Sequence, residues 1–412
     1  MGAETLHGRL RRSRWLVVTL GLLSACGPMA IDMYLPAFPQ MAADLNASLE
    51  QVQWTLSVFL LGLAGGQVLY GTLSDRFGRR GPLLIGCLAY TLAGMVCVFT
   101  ESIAALIVAR FLMGLGGAAG LVISRAIVRD LFRKTQAARY LSLMMLIGGM
   151  GPVIAPFLGG MMLMWFPWRM IFWVVAGFGV VCTAAVWLVA KETLPPERRL
   201  RGNLATVAAR YGRLIVDRRF LVPALAFGMA FGALFTYIAG SSGVFQGLYG
   251  VSPQAYSYFF AINAIGLYAG AQINRMLLKR RGVETILPAA CVVNAVCTLA
   301  LLGVVLGGVG GLWTFAAVLW LCVATISLIS PNATAVAMTP FAQQAGTASA
   351  LLGLFQYTLG GLASGLLGVI VRHDTAGKSA LPMAAIIAAC SVIGCAVYLV
   401  GRRRKPINSL IR

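Results

Sequence analysis

Apolar runs of about 20 residues recur from one end of this chain to the other, and a run of that length is what a helix needs to cross the hydrocarbon of a bilayer. Twelve segments meet the requirement, near residues 15–38, 51–72, 82–100, 103–131, 138–163, 168–190, 220–245, 253–278, 284–305, 311–338, 343–371 and 379–401. Of the 412 residues, 59% are hydrophobic and 11% charged, whereas soluble domains carry about 25% charge. Too few charges remain to coat a water-soluble shell, and no polar stretch is long enough to form one. The chain reads as an all-α integral membrane protein of about twelve transmembrane helices.

A net charge of +21 would suit a nucleic-acid binder if the charge formed one surface. Instead, Lys and Arg cluster between alternate apolar runs, at Arg76 to Arg80, Arg129 to Arg139, Lys279 to Arg281 and Arg402 to Lys405. Basic loops of that kind stay on the inner side. Of the 33 Lys and Arg, the exceptions are Arg110 and Arg125 inside helices, with Arg169, Arg372 and Lys378 on the predicted outer side. The expected placement is a bacterial inner membrane, multi-pass, with both termini cytoplasmic and no nucleic-acid partner. One inner loop, Thr339 to Gln344, has no basic residue. The N-terminal Arg9 to Arg14 followed by an apolar stretch resembles a secretory signal, but the stretch runs on through Asp32 and Pro36 without a cleavage site and reads as the first span.

The nine cysteines lie within apolar runs with no Cys-x-x-Cys pair, and the two histidines sit in polar flanks. They read as small buried hydrophobes, and no metal site is expected. No Walker-type loop is present, so neither ATP nor another cofactor is implied.

The stretch Lys191 to Arg219 is the longest polar one. It carries Pro195-Pro196 and falls near the middle, so it reads as a cytoplasmic linker between bundles of six helices at residues 1–190 and 220–412. A weak repeat agrees: Arg79-Arg80-Gly81 recurs as Arg280-Arg281-Gly282 after the second helix of each half, although Asp75 aligns with Met276 and Asp32 with Ala233. Two equivalent halves around a central site suit a carrier that exposes the site to each side in turn. The 48 glycines serve either close helix packing or sliding interfaces.

Asp32 is the one acidic residue well inside a predicted span. A carboxylate is costly there, which makes proton binding the leading reading and a static ion pair the alternative. Arg110 lies at similar depth, about 10 Å from the outer end of the fourth span against about 9 Å for Asp32 in the first. Facing one cavity, the two could exchange partners as proton or substrate arrives. Alternatively, Arg110 only bonds backbone carbonyls of a neighbouring helix. Arg125 and Arg129, near the inner end of the same helix, read as anchors that snorkel to the interface. Asp130 is assigned to a charge network with the loop that follows the second span.

That loop is Gly71-Thr72-Leu73-Ser74-Asp75-Arg76-Phe77-Gly78-Arg79-Arg80. Its glycines permit tight turns, and its alternating acid and base can pair and part as the inner side opens; Gly71, Asp75, Arg76, Gly78, Arg79 and Arg80 are the candidate gating residues. It resembles the signature of the major facilitator superfamily. Arg110-Phe111-Leu112-Met113-Gly114 resembles that family's fourth-helix motif. The run Gly148, Gly151, Pro152, Pro156 and Gly160 resembles the fifth-helix motif of antiporters. With Asp32-Met33-Tyr34-Leu35-Pro36 and Lys191-Glu192-Thr193-Leu194-Pro195-Pro196-Glu197-Arg198-Arg199, the chain resembles the bicyclomycin/chloramphenicol-resistance (Bcr/CflA) branch of drug/proton antiporters. The resemblance implies two pseudo-symmetric six-helix bundles and proton-driven export of small antibiotics, with Asp32 and Arg110 at the coupling positions. Some related exporters carry a second acidic residue where this chain has Ser24, which points toward neutral or zwitterionic substrates.

A substrate pocket between the halves should be mostly apolar with a few polar groups. Tyr34, Trp54, Asn263, Asn332 and Gln356 are the candidates, each equally able to serve as an interhelical hydrogen bond. Export of a metabolite such as a sugar, peptide or amino acid is the alternative within this fold. An intramembrane enzyme would need a Ser/His, paired-Asp or zinc arrangement that the spans lack, and a channel would need a ring of charge or a repeated filter loop. The partners expected are a small molecule, protons and lipid, and the chain is expected to be a monomer.

Overall fold

A computed structural model describes residues 6–132, 134–199, 204–373 and 379–403; Arg133, Arg201, Lys378, Arg404 and Lys405 lie outside them. The described residues are almost wholly helical. The first half contains α1 (Leu6–Asp32), the short α2 (Phe38–Asp44), α3 (Leu49–Phe77), α4 (Arg80–Phe99), α5 (Ile103–Leu131), α6 (Lys134–Met162) and α7 (Arg169–Val189). The amphipathic α8 (Leu204–Val216) follows, and then α9 (Arg218–Ser242), α10 (Pro253–Leu278), α11 (Val283–Gly307), α12 (Gly311–Met338), α13 (Ala345–His373) and α14 (Leu381–Arg403).

Among the described residues, ten helices are long and apolar enough to cross a membrane. The other two of the predicted twelve are α6 and α10. At 26 residues, α10 reaches about 39 Å, but it carries Gln254, Ser257, Asn263, Gln272 and Asn274, which dilute its apolar character. Three of these polar groups face protein, since Ser257, Asn263 and Asn274 are buried, whereas Gln272 is exposed.

Successive spans run in opposite directions, so the loops fall at two ends. The basic end carries the 71–80 loop and α8; the far end carries α2. Within the first half, α3 packs on α5, α4 on α5 and α7, and α1 on α6. Within the second, α9 packs on α13 and α14, and α12 on α10 and α11. Two seams join the halves, α3 with α13 and α6 with α10.

Both seams close tightly toward the far end. Ser57 and Ser364 hydroxyls bond across the first at 2.9 Å. In the second, the Ser257 hydroxyl donates to the Pro156 carbonyl at 2.8 Å and Gln254 Nε2 to the Gly160 carbonyl at 3.3 Å. Gly160 has to lack a side chain, because a Cβ there would stand 3.1 Å from the Pro253 carbonyl and collide with Ser257. At the same end Arg169 pairs with Asp44 and donates to the Thr100 carbonyl, so this basic residue fastens α7 to α2 and α4.

The loop without a basic residue is a 3-10 turn, Thr339–Gln344. Its Phe341 packs edge-on against Phe220, and the Arg219 guanidinium lies 5.8 Å from the Phe341 ring centre. The positive charge it lacks is supplied by the start of α9.

Candidate functional site

The first helix breaks where its acid sits. Pro36 has no N–H to donate to the Asp32 carbonyl four residues earlier, and α1 accordingly ends at Asp32, followed by a 3-10 turn at Leu35–Ala37 and then α2. A helix end leaves carbonyls unpaired and carries partial negative charge. Arg110 of α5 meets that end, its Nη2 donating to the Ala30 carbonyl at 2.8 Å. The guanidinium is fully buried, 4.4 Å from the Tyr34 ring centre, 4.3 Å from Phe59 and 5.8 Å from Phe172.

Sequence reasoning allowed Arg110 either a pairing with Asp32 or a bond to a neighbouring carbonyl, and the structure has the second. The depths match, but the two groups lie on different sides of α1. Arg110 sits among α3, α5 and α7, inside the first half. Asp32 faces the second half, buried to 3% exposure, with no hydrogen-bond partner for Oδ1 among the described residues.

Asp32 faces a central cavity of about 420 Å³ between the halves. Its first-half wall includes Ser24, Pro28, Leu121, Arg125, Met144 and Pro152. The opposite wall is aromatic and aliphatic, from Phe231, Leu234, Phe235 and Tyr237 of α9 and Phe260 of α10, with Ser327, Ser330, Gln356 and Tyr357 as hydrogen-bonding groups. The lining extends from Asp32, its deepest residue toward the far end, to Arg125 near the basic end.

Of the five pocket candidates only Gln356 lines this cavity; the other four stand elsewhere, and physical reasons place them there. The Tyr34 hydroxyl bonds Thr55 Oγ1 at 3.1 Å while its ring covers Arg110. The Trp54 indole lies over Gly368 in the α3–α13 seam, where an added Cβ would be 2.8 Å from its ring nitrogen. Asn332 Nδ2 donates to Asn274 Oδ1 at 2.6 Å, joining α12 to α10. Asn263 Nδ2 turns back onto its own helix at Phe259 O, 2.9 Å away. Polarity in an apolar span flags both cavity and seam residues, and sequence cannot separate them. Arg125 was missed in the other direction, as an interface anchor, and it lines the cavity instead. Ser24 does as well.

At the basic end the 71–80 loop forms a closed network. Gly78 ends α3 at φ +96°, a conformation that favours glycine, and this turns Arg79 back over the end of α5. Arg79 is buried and donates to Asp75 Oδ1 at 2.5 Å, Ser74 Oγ at 3.0 Å and Asp130 Oδ2 at 2.9 Å. Asp130 thus stands in the expected network. Arg80 Nη2 reaches the Trp187 carbonyl at 3.1 Å, Arg76 lies exposed over Phe77, and Gly71 faces the Tyr211 hydroxyl of α8.

Glu192 completes the network. Its carboxylate accepts from the backbone N–H of Arg79 at 2.8 Å, Arg80 at 3.3 Å, Thr193 at 2.9 Å and Leu194 at 2.9 Å, capping the start of α4 from 112 residues away. Burial pushes this carboxyl up, but those N–H groups outweigh burial and hold it below its usual range. The residue belongs to the 191–199 run, yet nothing local told which helix it would cap.

In the antiporter-like run, Gly151 packs against Pro28 of α1, Pro152 lines the cavity and Pro156 and Gly160 form the α6–α10 seam; Gly148 is a helical residue of α6.

The Major Facilitator Superfamily model matches residues 20–365. The Uncharacterized MFS-type transporter YdgK of Bacillus subtilis is 37% identical over 396 residues, 95% of this chain and 97% of that protein. The Bicyclomycin resistance protein homolog of Haemophilus influenzae is 33% identical over 382 residues, 93% of this chain and 94% of that protein. Among solved structures, a D-xylose-proton symporter superposes with a TM-score of 0.74 at 17% identity, covering 96% of this chain and 98% of that one.

Proposed function

This chain belongs to the major facilitator superfamily, and from that premise we propose that it exports small antibiotic-like molecules from the cytoplasm in exchange for protons. The observation that carries the reading is Asp32: a buried carboxylate, unpartnered at Oδ1 among the described residues, in the wall of the central cavity between the halves. A carboxylate without a partner in a water-poor site has to be matched by a proton or by a polar group of the substrate, and the two compete for it. A substrate entering from the basic, cytoplasmic end supplies that polarity and displaces the proton; a proton arriving from the opposite side displaces the substrate. This mutual exclusion is the coupling.

The seams fit the role. Ser57–Ser364 and Ser257–Pro156 hold the far end closed, while the lining extends toward the basic end. The far-end bonds part when the halves rock, and the Arg79 network at the other end, formed wholly within the first half, holds the ends of α3, α4 and α5 together as they move. Arg110 supports Asp32 indirectly, by fixing the broken end of α1 that carries it. The relative named for bicyclomycin resistance favours an antibiotic over a metabolite as the cargo.

Everted vesicles from an efflux-deficient host provide the test. Energised vesicles carrying the chain should release protons when bicyclomycin or another neutral antibiotic is added, and Asp32→Asn vesicles should not. Drug-dependent proton movement absent across a varied antibiotic panel would overturn the reading.

A further inference from the structure

The central cavity contains two charged side chains, and the exchange just described uses one. Arg125 of α5 lines the cavity near the basic end, and Gln356 and Tyr357 of α13 line it as well. Helical side chains lean toward the N-terminus of their own helix. Since α5 runs from the far end to the basic end, the exposed Arg125 leans back toward the cavity it lines; α1 runs the opposite way, so Asp32 leans down toward it. Among the described residues, no carboxylate stands within ion-pair range of Arg125.

The separation suits a molecule lying between them. A Cβ on Gly120 of α5 would lie 3.2 Å from the Leu23 carbonyl of α1, which sets those two residues level. Asp32 is then about 13 Å above that level and Arg125 about 7 Å below, roughly 20 Å apart at the backbone before their side chains reach inward. The wall between is apolar, built from Phe231, Leu234 and Phe235.

We propose that Arg125 sets the substrate class of this cavity. Its guanidinium binds a carboxylate or another strong acceptor group at one end of the substrate, the α9 wall holds an aromatic or branched body, and simple monocations are disfavoured. This rests on the export reading and adds a polarity to the cargo. A guanidinium presents a fork of donors that fits a carboxylate at two points, and such charge-assisted bonds are about twice as strong as neutral ones.

The test uses purified full-length protein in detergent with two probes that share one body, chloramphenicol and its succinate half-ester, the second adding a single carboxylate. Binding is measured for the unaltered chain, R125Q and R125K. The unaltered chain should prefer the half-ester, and added salt should shrink that preference. R125Q should weaken the half-ester by roughly tenfold or more while chloramphenicol stays within about threefold, and R125K should retain part of the preference because the charge remains while the fork does not. A ratio of affinities unchanged in R125Q would overturn the proposal and leave the pocket intact. If R125Q does not fold, an R125K ratio equal to that of the unaltered chain, with no salt dependence, overturns it. Binding of neither probe to the unaltered chain removes the pocket reading and this inference with it.

Discussion

The two halves share an architecture and differ in chemistry. In the first half, buried charges occupy both the centre and the basic end: Asp32 and Arg110 at the centre, and Arg79, which is tied to the more exposed Asp75 and Asp130, at the end. In the second half, the interior polar contacts among the described residues are neutral, such as Asn332–Asn274 at 2.6 Å, Asn294–Thr325 at 2.8 Å and Ser241–Tyr256 at 2.7 Å. Where the halves align, Met276 stands for Asp75 and Ala233 for Asp32. The second half is therefore an internal control. It reaches the same packing without the charges, so the fold does not require them, and in a membrane a charge the fold does not require points to use.

The largest break in that comparison would come at the cavity. Asp32→Asn makes the first half as neutral as the second at this position. Gradient-driven export should fall to background while the amount of folded protein in the membrane stays the same; export that survives would make Asp32 structural. Arg110→Ala should behave differently, because Arg110 bonds Ala30 and the aromatic rings rather than Asp32. We expect a stability loss of about 3 kcal/mol from the carbonyl bond and ring contacts together, seen as a lower thermal midpoint in detergent. The stability effects of Asp32→Asn and Arg110→Ala should add to within about 0.5 kcal/mol. A larger coupling between them would mean that the pair meets in another state of the transport cycle.

Much of this was legible in the sequence. Apolar runs marked the long helices, ten of which among the described residues are apolar enough to cross a membrane, and basic loops marked one end of the bundle, because both obey local rules of length and charge. The 71–80 loop and Asp130 were legible because charges in register at helix ends have few partners to choose from. The pocket was not. Tyr34, Trp54, Asn263 and Asn332 have the same chemical character as Gln356, and only the rotation of each helix decides which of them faces the cavity. Arg125 was misread because snorkelling assumes a lipid-facing side chain, and α5 turns this one inward.

Smaller effects test the same contrast at the basic end. Arg79→Ala should lower export several-fold by opening the network with Asp75 and Asp130, whereas Arg280→Ala, its second-half counterpart, should leave export near normal. Equal losses would mean that the two loops gate together. Asn332→Ala should cost about 1 kcal/mol of stability, in line with hydrogen bonds between helices in lipid, with the order of preferred substrates unchanged; a changed order would return Asn332 to the binding site.

The finest distinction is between two helix starts. The start of α4 is capped by Glu192, whereas α11 begins at Gly282 with no side-chain cap. Because backbone N–H groups hold the Glu192 carboxyl below its usual 4.5, the docked segment binds a proton less readily than the undocked one. The advantage of docking is therefore complete above about pH 4.5 and declines as pH falls through the depressed value. Amide exchange at Arg79 and Arg80, corrected for intrinsic rates, should report constant protection between pH 8 and about pH 5 and lose it below about pH 4.5. Glu192→Gln should leave those amides less protected at neutral pH and remove the acid dependence. Amides at the start of α11 should be indifferent to Glu192→Gln and should lose less protection in acid, since among the described residues no side chain caps them and Glu284 only stands in their first turn. An acid transition of the same size at α11 would locate the titrating group elsewhere and take from Glu192 its part in capping α4.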